Sequence, residues 1–560
     1  MMSNALAYGA KAQLCLKIRL LILAVAALAA CCGPAQAGEE AQGWAWSPDL
    51  GDGRFKNPIL FADYSDPDAI RVNDDFYLIA SSFNCTPGLP ILHSKDLVNW
   101  TIINHALPNV PDPRYAQVQP GCGVWAPAIR FHAGKFWIFF PTPDEGIYVV
   151  NADDPAGQWS EPHLLQAGRG LIDPCPLWDD DGRAYLVYAY AGSRAGIKDR
   201  LRVSPMSPDG SRLLGEGEII FYQPKKYPTL EGPKLYKRNG YYYVFAPAGG
   251  VKQGWQTVLR SRNIYGPYED RIVLAQGDTQ INGPHQGAWV QTQSGEDWFL
   301  HFQDCGAYGR VVHLQPMKWV DDWPVMGQTN GSGIGQPVAV CKKPDVGKTF
   351  PAEIPQTSDE FDSGRFGLQW QWQANESKAW YSLTTRPGWL RLNAAPVPGK
   401  AANLWLAPNV VAQKFPAPEF AVTTKLDFTA LADGEEAGII ILGLDYSSLA
   451  VERTQGGFQL VKAVCKDAPS ENPEAQEQTA PCRGDSVWLR VTVGLGAQCQ
   501  FSYSPDDKNF TALGKPFTAR VGKWIGAKVG LFCASVKPGN PSGHADFDCF
   551  RFSAPVSSAP

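Results

Sequence analysis

Three acidic side chains occupy similar local settings far apart in the chain. Asp66 lies in YSDPDAI (64–70), Asp173 in IDPCPLW (172–178) and Glu231 in LEGPKLY (230–236). Asp66 and Asp173 are followed directly by proline, and Glu231 by Gly232-Pro233. Taken singly, each reads as a turn, because proline fixes φ and a short acid can bond its own backbone. Each also stands where an apolar strand begins. Acids at such positions are costly to bury, and several converging on one place mark a functional site. The question is whether the surrounding elements bring them together.

The chain shows almost no helical periodicity. Short runs rich in Tyr, Phe, Val and Ile alternate with Gly, Asn and Asp turns, the pattern of an all-β protein. A weak repeat runs through the first two-thirds: SDPDAIRVNDDFYLIAS, VWAPAIRFHAGKFWIFF, IDPCPLWDDDGRAYLVYAY, EGPKLYKRNGYYYVFAP and HQGAWVQTQSGEDWFLHFQ, starting near residues 65, 124, 172, 231 and 285. Units about 50 to 60 residues apart predict a five-bladed β-propeller, with slightly longer blades than common propeller repeats. The first strand of every propeller blade lines the central axis. The repeat therefore sends Asp66, Trp125, Asp173, Glu231 and His285 toward one cavity, and three of these five carry carboxyl groups. By contrast, Asp68 and the Asp179–Asp181 run in WDDDG are assigned no chemistry, the latter reading as a hairpin turn.

The repeat stops near residue 345. A Pro-rich polar stretch at 346–357 reads as a linker, and regular strands such as GWLRLNA, FAVTTKLDF, AGIIILGLDY, VWLRVTVG and KVGLFCAS predict a β-sandwich over 358–555. Within it, 466–482 reads as a polar loop and the VSSAP tail as disordered. The propeller is expected over 53–345.

Composition narrows the class. Of 560 residues, 44% are hydrophobic and 19% charged, a globular balance. The 19 Trp, 20 Tyr and 26 Phe suit an all-β or sugar-binding protein, and a net charge of −5 without a basic run gives no sign of a nucleic-acid partner. At the N-terminus, Lys11, Lys17 and Arg19 precede LLILAVAALAA, the shape of a signal peptide over 1–37 and too short to span a membrane. Two exits are open. One is cleavage after Ala35-Gln36-Ala37. The other is a lipoprotein box ending at residue 30, with a lipid on Cys31 as the one expected membrane link. Export to a periplasmic or extracellular setting would permit disulfides among the ten cysteines beyond the signal, and Cys465 with Cys482 is the first candidate pair. No CxxC pair occurs, which argues against a zinc site.

Together, NPIL…YSDPDAI, ASSFNCTPGLPILHSKDLVNW, GVWAPAI, IDPCPLWDDDGRAYLVY and EGPKLYKRNGYYY resemble glycoside hydrolase family 43. FDSGRFGLQWQWQ and GWLRLNA resemble the concanavalin-like sandwich appended to its β-xylosidase members. The resemblance implies inverting hydrolysis, with Asp66 as general base, Glu231 as general acid and Asp173 as a third acid that orients Glu231 and raises its pKa. An inverting pair must leave room for water between base and sugar. It further implies Phe83 and Trp125 as walls of the sugar pocket and Arg310, in YGRVVHLQPMKW, as a substrate contact. His285 is implied as a central histidine, near which a structural calcium stays open; no cofactor is required. Cys85 and Thr86 depart from the bulkier residues often found in the family's subsite loop, and Cys85 with Cys122 is a candidate bridge shaping that pocket. The expected substrate is a xylo-oligosaccharide or an arabinoxylan-derived oligosaccharide, cleaved by release of terminal β-xylosyl units. An α-L-arabinofuranosidase is the nearest alternative and a non-catalytic sugar-binding lipoprotein the alternative from another class. Fructan-cleaving relatives carry Asn before Asp in the first motif, which YSDPD lacks.

Overall fold

The computed structural model describes residues 45–329, 331, 333–399, 403–535 and 541–554. The expected signal segment, the Cys31 lipid box and the VSSAP tail lie outside the described residues. No described helix is long and apolar enough to cross a membrane.

Five antiparallel four-strand blades follow one another at 68–107, 128–167, 171–222, 234–275 and 285–326, and the fourth is extended to six strands by Gly335–Gln336, which pairs in parallel with its outer strand, and Gln328–Thr329. The four blade strands of each form a meander, so a blade's innermost strand is its first in sequence. Sequence explains the blades directly: Asp75–Ile79, Lys135–Thr142, Ala184–Tyr190, Tyr241–Ala248 and Asp297–Asp304 are the aromatic second strands, each reached by a tight turn from the first. Their apolar side chains fill the seams between blades. Between the first and last blades, Leu78, Trp100, Leu300 and Leu314 pack into one buried cluster. Full burial of one such side chain contributes about 1.5–3 kcal/mol. The ring is closed by Leu60 pairing with Val312 and by Arg54–Lys56 pairing with Val340–Lys342.

The C-terminal part is a sandwich of an eight-stranded and a nine-stranded sheet. Its inner faces meet through Trp370, Leu390, Val411, Phe420, Ile439, Leu489, Leu531 and Phe547. The predicted strands appear at Leu390–Asn393, Phe420–Asp427, Glu435–Leu442, Ser486–Gly494 and Lys528–Ser535. One expectation is corrected: 466–482 is not wholly loop, because Ala475–Pro481 forms a strand at the edge of the eight-stranded sheet.

The two parts are stitched by backbone pairing. Thr86 and Trp372 exchange both backbone hydrogen bonds (3.0 and 2.7 Å), Asn84 Nδ2 donates to the Gln373 carbonyl (2.6 Å), and Asn375 binds the Val110 backbone through both ends of its amide. The loop read as a subsite loop is thus partly interface. Cys85 is buried with Lys528 Nζ donating to its sulfur at 2.9 Å.

Both candidate disulfides are contradicted, since all ten described cysteines are free. Cys85 faces Lys528, whereas Cys122 faces Arg194. Cys465 and Cys482 lie at opposite ends of one hairpin, whose pairs run from Gln459–Pro481 to Val464–Ala475. The register keeps the two thiols apart.

Candidate active site

The blade starts do converge. Asp66, Asp173 and Glu231 line one cavity of about 260 Å³ with Phe83, Trp125, Gln286, Arg310 and Trp524. The local backbone explains how each acid is turned inward. Asp66 and Asp173 adopt left-handed φ values of 55° and 56°, and Gly232 and Gln286 take 61° and 34° at the corresponding places. A non-glycine residue in that region is strained, and such strain persists where the surrounding structure enforces it. The ladder irregularities at Ile172/Cys175 and His285/Gly287 mark the same feature.

Each acid has its own partners. Asp66 is almost fully buried; Ser81 Oγ donates to it at 2.6 Å, and Arg310 Nη1 reaches both of its oxygens at 2.9 and 3.0 Å. This charge-assisted contact fixes the carboxylate's direction. Asp173 accepts the Gly232 N–H at 2.7 Å. Burial first, and then the neighbouring Glu231, push the Asp173 carboxyl well above the usual carboxylate range, with Asp66 adding to the effect and the Gly232 N–H opposing it. Glu231, the more open acid, meets His285 Nε2 at 2.9 Å.

His285 departs from its expected place. It is fully buried and stands behind Glu231, and the wall residue is its neighbour Gln286. The left-handed turn at Gln286 rotates the histidine away from the cavity and under the glutamate. His285 therefore holds Glu231 and does not face the sugar. Its Nδ1 is buried without a partner. A calcium ion takes six to eight oxygen ligands. A single ring nitrogen, with no cluster of three His, Cys, Asp or Glu among the described residues able to hold a metal, does not fit a protein-built calcium cage.

The remaining walls are aromatic. Phe83 and Trp125 lie with ring centroids 6.3 Å apart. Gly123 permits this approach, since a Cβ there would fall 2.2 Å from the Phe83 carbonyl oxygen. Arg194 covers Trp125 from outside at 5.1 Å. Trp524 comes from the sandwich and meets Trp125 edge-on at 6.4 Å. Nothing in the sequence singles out GKWIG, and Trp524, with Gln286 and Thr229, was missed. Trp524 stands in a Gly-flanked turn with φ 67° and is 47% exposed. Cys85 and Thr86 do not line the cavity.

Two contrast residues behave as structural groups. Asp68 binds Arg130 at 2.7 Å and the Ile129 N–H. Asp179 takes Lys237 and the Tyr242 hydroxyl.

A five-bladed propeller with three acids in its axial cavity, closed by an aromatic residue from a sandwich domain, defines a glycoside hydrolase. The family description "Glycosyl hydrolases family 43" matches residues 55–324, and "Beta xylosidase C-terminal Concanavalin A-like domain" matches 358–553. A putative beta-xylosidase of Xylanibacter ruminicola is 39% identical over 88% of each chain, and a non-reducing end alpha-L-arabinofuranosidase of Bacteroides ovatus is 28% identical over 91% of this chain and 96% of its own. The solved xylan beta-1,4-xylosidase of Bacillus halodurans superposes with a TM-score of 0.79 at 26% identity, covering 89% of this chain and 99% of that one. The chain belongs to glycosyl hydrolase family 43.

Proposed function

We propose that the protein is an inverting, exo-acting β-xylosidase that removes terminal β-D-xylosyl units from xylo-oligosaccharides. The observation that carries this reading is the cavity itself: three carboxyls face a space of about 260 Å³ that Trp524 walls from the sandwich side. Such a pocket suits one terminal sugar ring better than an open chain. Aromatic faces cover the apolar side of the ring while charged groups read its hydroxyls.

In this mechanism Asp66, aligned by Arg310 and Ser81, takes a proton from water as the water attacks the anomeric carbon. Glu231, held by His285, gives a proton to the departing glycosidic oxygen. Asp173 sits beside Glu231 with a carboxyl biased toward its neutral form, which limits the negative charge facing the donor. Each acid–base group contributes about 10² to 10⁴-fold to rate.

The test is proton NMR on xylobiose from the first minute. Early α-xylose supports inversion; early β-xylose overturns it. The α-L-arabinofuranosidase reading is the second, supported by the Bacteroides ovatus relative, and cleavage of an arabinofuranoside with xylobiose untouched would select it. Cys85 and Thr86 are residues of the propeller–sandwich interface. We further propose export through the N-terminal segment, supported by its charge and hydropathy pattern. Mass analysis of the mature N-terminus separates a free Gly38 start from a lipidated Cys31.

A further inference from the structure

Asp63 lies three residues before Asp66 and does not line the cavity. Its carboxylate is nearly fully buried, and each oxygen accepts one backbone N–H. Oδ1 takes that of Arg310 at 2.9 Å, and Oδ2 that of Gly526 at 2.8 Å. These donors belong to different parts of the molecule. Arg310 opens the strand whose guanidinium grips Asp66. Gly526 stands two residues after Trp524, in the sandwich turn that walls the cavity.

The space around this carboxylate is kept by glycine. Gly309 has φ +77°, and a Cβ there would fall 2.4 Å from Asp63 Cγ; a Cβ on Gly526 would fall 2.8 Å from the Gly309 nitrogen. The flanking contacts run the same way. The Ala527 N–H donates to the Ala307 carbonyl at 2.7 Å, and the Tyr308 hydroxyl donates to the Pro418 carbonyl and accepts the Ala497 N–H. Buried carboxylates that bind backbone amides also serve structure alone. Glu435 does so in the sandwich, with the N–H groups of Ala432, Ser542 and Gly543. Asp63 differs because both segments it holds end at the cavity.

We propose that Asp63 is a positioning residue that places Trp524 against the sugar and Arg310 against Asp66 through one carboxylate. Fit of the sugar and alignment of the attacking water are then set together across the propeller–sandwich junction. The inference rests on the glycosidase reading of the cavity. An asparagine accepts only one of the two N–H groups, since its own amide nitrogen faces the other.

The test is Asp63→Asn in the full-length chain, measured in wild-type and Trp524→Ala backgrounds on whichever of xylobiose or an arabinofuranoside the wild type cleaves. That substrate choice settles the activity separately from the role of Asp63. The expected result is KM raised about ten-fold and kcat lowered about ten-fold, as for a displaced but intact site. In the Trp524→Ala background the effect on KM should shrink to less than about two-fold, because the wall that Asp63 places is gone, while the loss in kcat through Arg310 persists. If Asp63→Asn does not fold, Gly526→Ala pushes the same turn from its other side and should raise KM alike. A lowered Tm with KM and kcat unchanged, or equal KM effects in both backgrounds, overturns the proposal.

Discussion

Two clusters of carboxyl groups in this molecule resemble each other electrostatically and differ in everything else. In the propeller, Asp173 is pushed up by burial and by Glu231, with Asp66 adding to it. In the sandwich, Glu436 is pushed well above the usual range by burial and by Glu474 and Glu452. Glu436 and Glu452 are direct cross-strand partners, where like charges destabilise. The first cluster opens into a cavity, and each of its acids meets a group able to direct it: Arg310, His285 or the Gly232 N–H. The second does not reach that cavity, and its polar contacts are Tyr446 and Gln459. A displaced pKa is therefore not by itself a mark of catalysis. The cavity and the directing partners are.

Substitutions can break or sharpen this contrast. The largest expected effects are Asp66→Asn and Glu231→Gln, each lowering kcat on xylobiose by about 10² to 10⁴-fold or more while the folded chain keeps its Tm within a few degrees. Asp173→Asn should cost about 10²-fold in kcat/KM and change the stability profile. A carboxyl whose folded pKa is raised stabilises the fold fully below its ordinary value of 3.8, and this contribution is lost as pH rises through the folded value. The asparagine variant should therefore gain Tm over wild type with rising pH, as thermal melts across pH would show. Trp524→Ala should raise KM about ten-fold with a smaller change in kcat, because it removes a stacking wall and leaves the acids in place. The smallest effect is expected from Glu436→Gln: unchanged kcat and KM, with a Tm gain above pH 4.5 that follows the same sign as Asp173→Asn. Lost activity in that variant would erase the contrast between the two clusters.

The propeller half of the site was legible because its geometry repeats. Once five units were aligned, the axis imposed convergence on Asp66, Asp173 and Glu231. His285 was found by the same alignment but stands behind Glu231, since the repeat fixes position to within a residue while the turn at Gln286 decides which side chain lines the cavity. Trp524 was not legible, because the sandwich has no repeat in phase with the blades and its turn reaches the cavity only through tertiary packing. Ala475–Pro481 was missed for another reason: an edge strand exposed on both faces shows no apolar alternation. The cysteine pairs failed because the expectation of an oxidising compartment permits disulfides without selecting any, and packing beside Lys528 and Arg194 placed the thiols elsewhere.

The most direct test of the account is the leaving-group dependence of Glu231→Gln. Wild type and variant would be compared on xylobiose and on an aryl β-xyloside whose phenol departs without protonation. If Glu231 donates the proton, the variant loses activity heavily on xylobiose and only slightly on the aryl glycoside. Equal losses on both substrates would contradict its role and with it the assignment of the propeller cluster as the catalytic one.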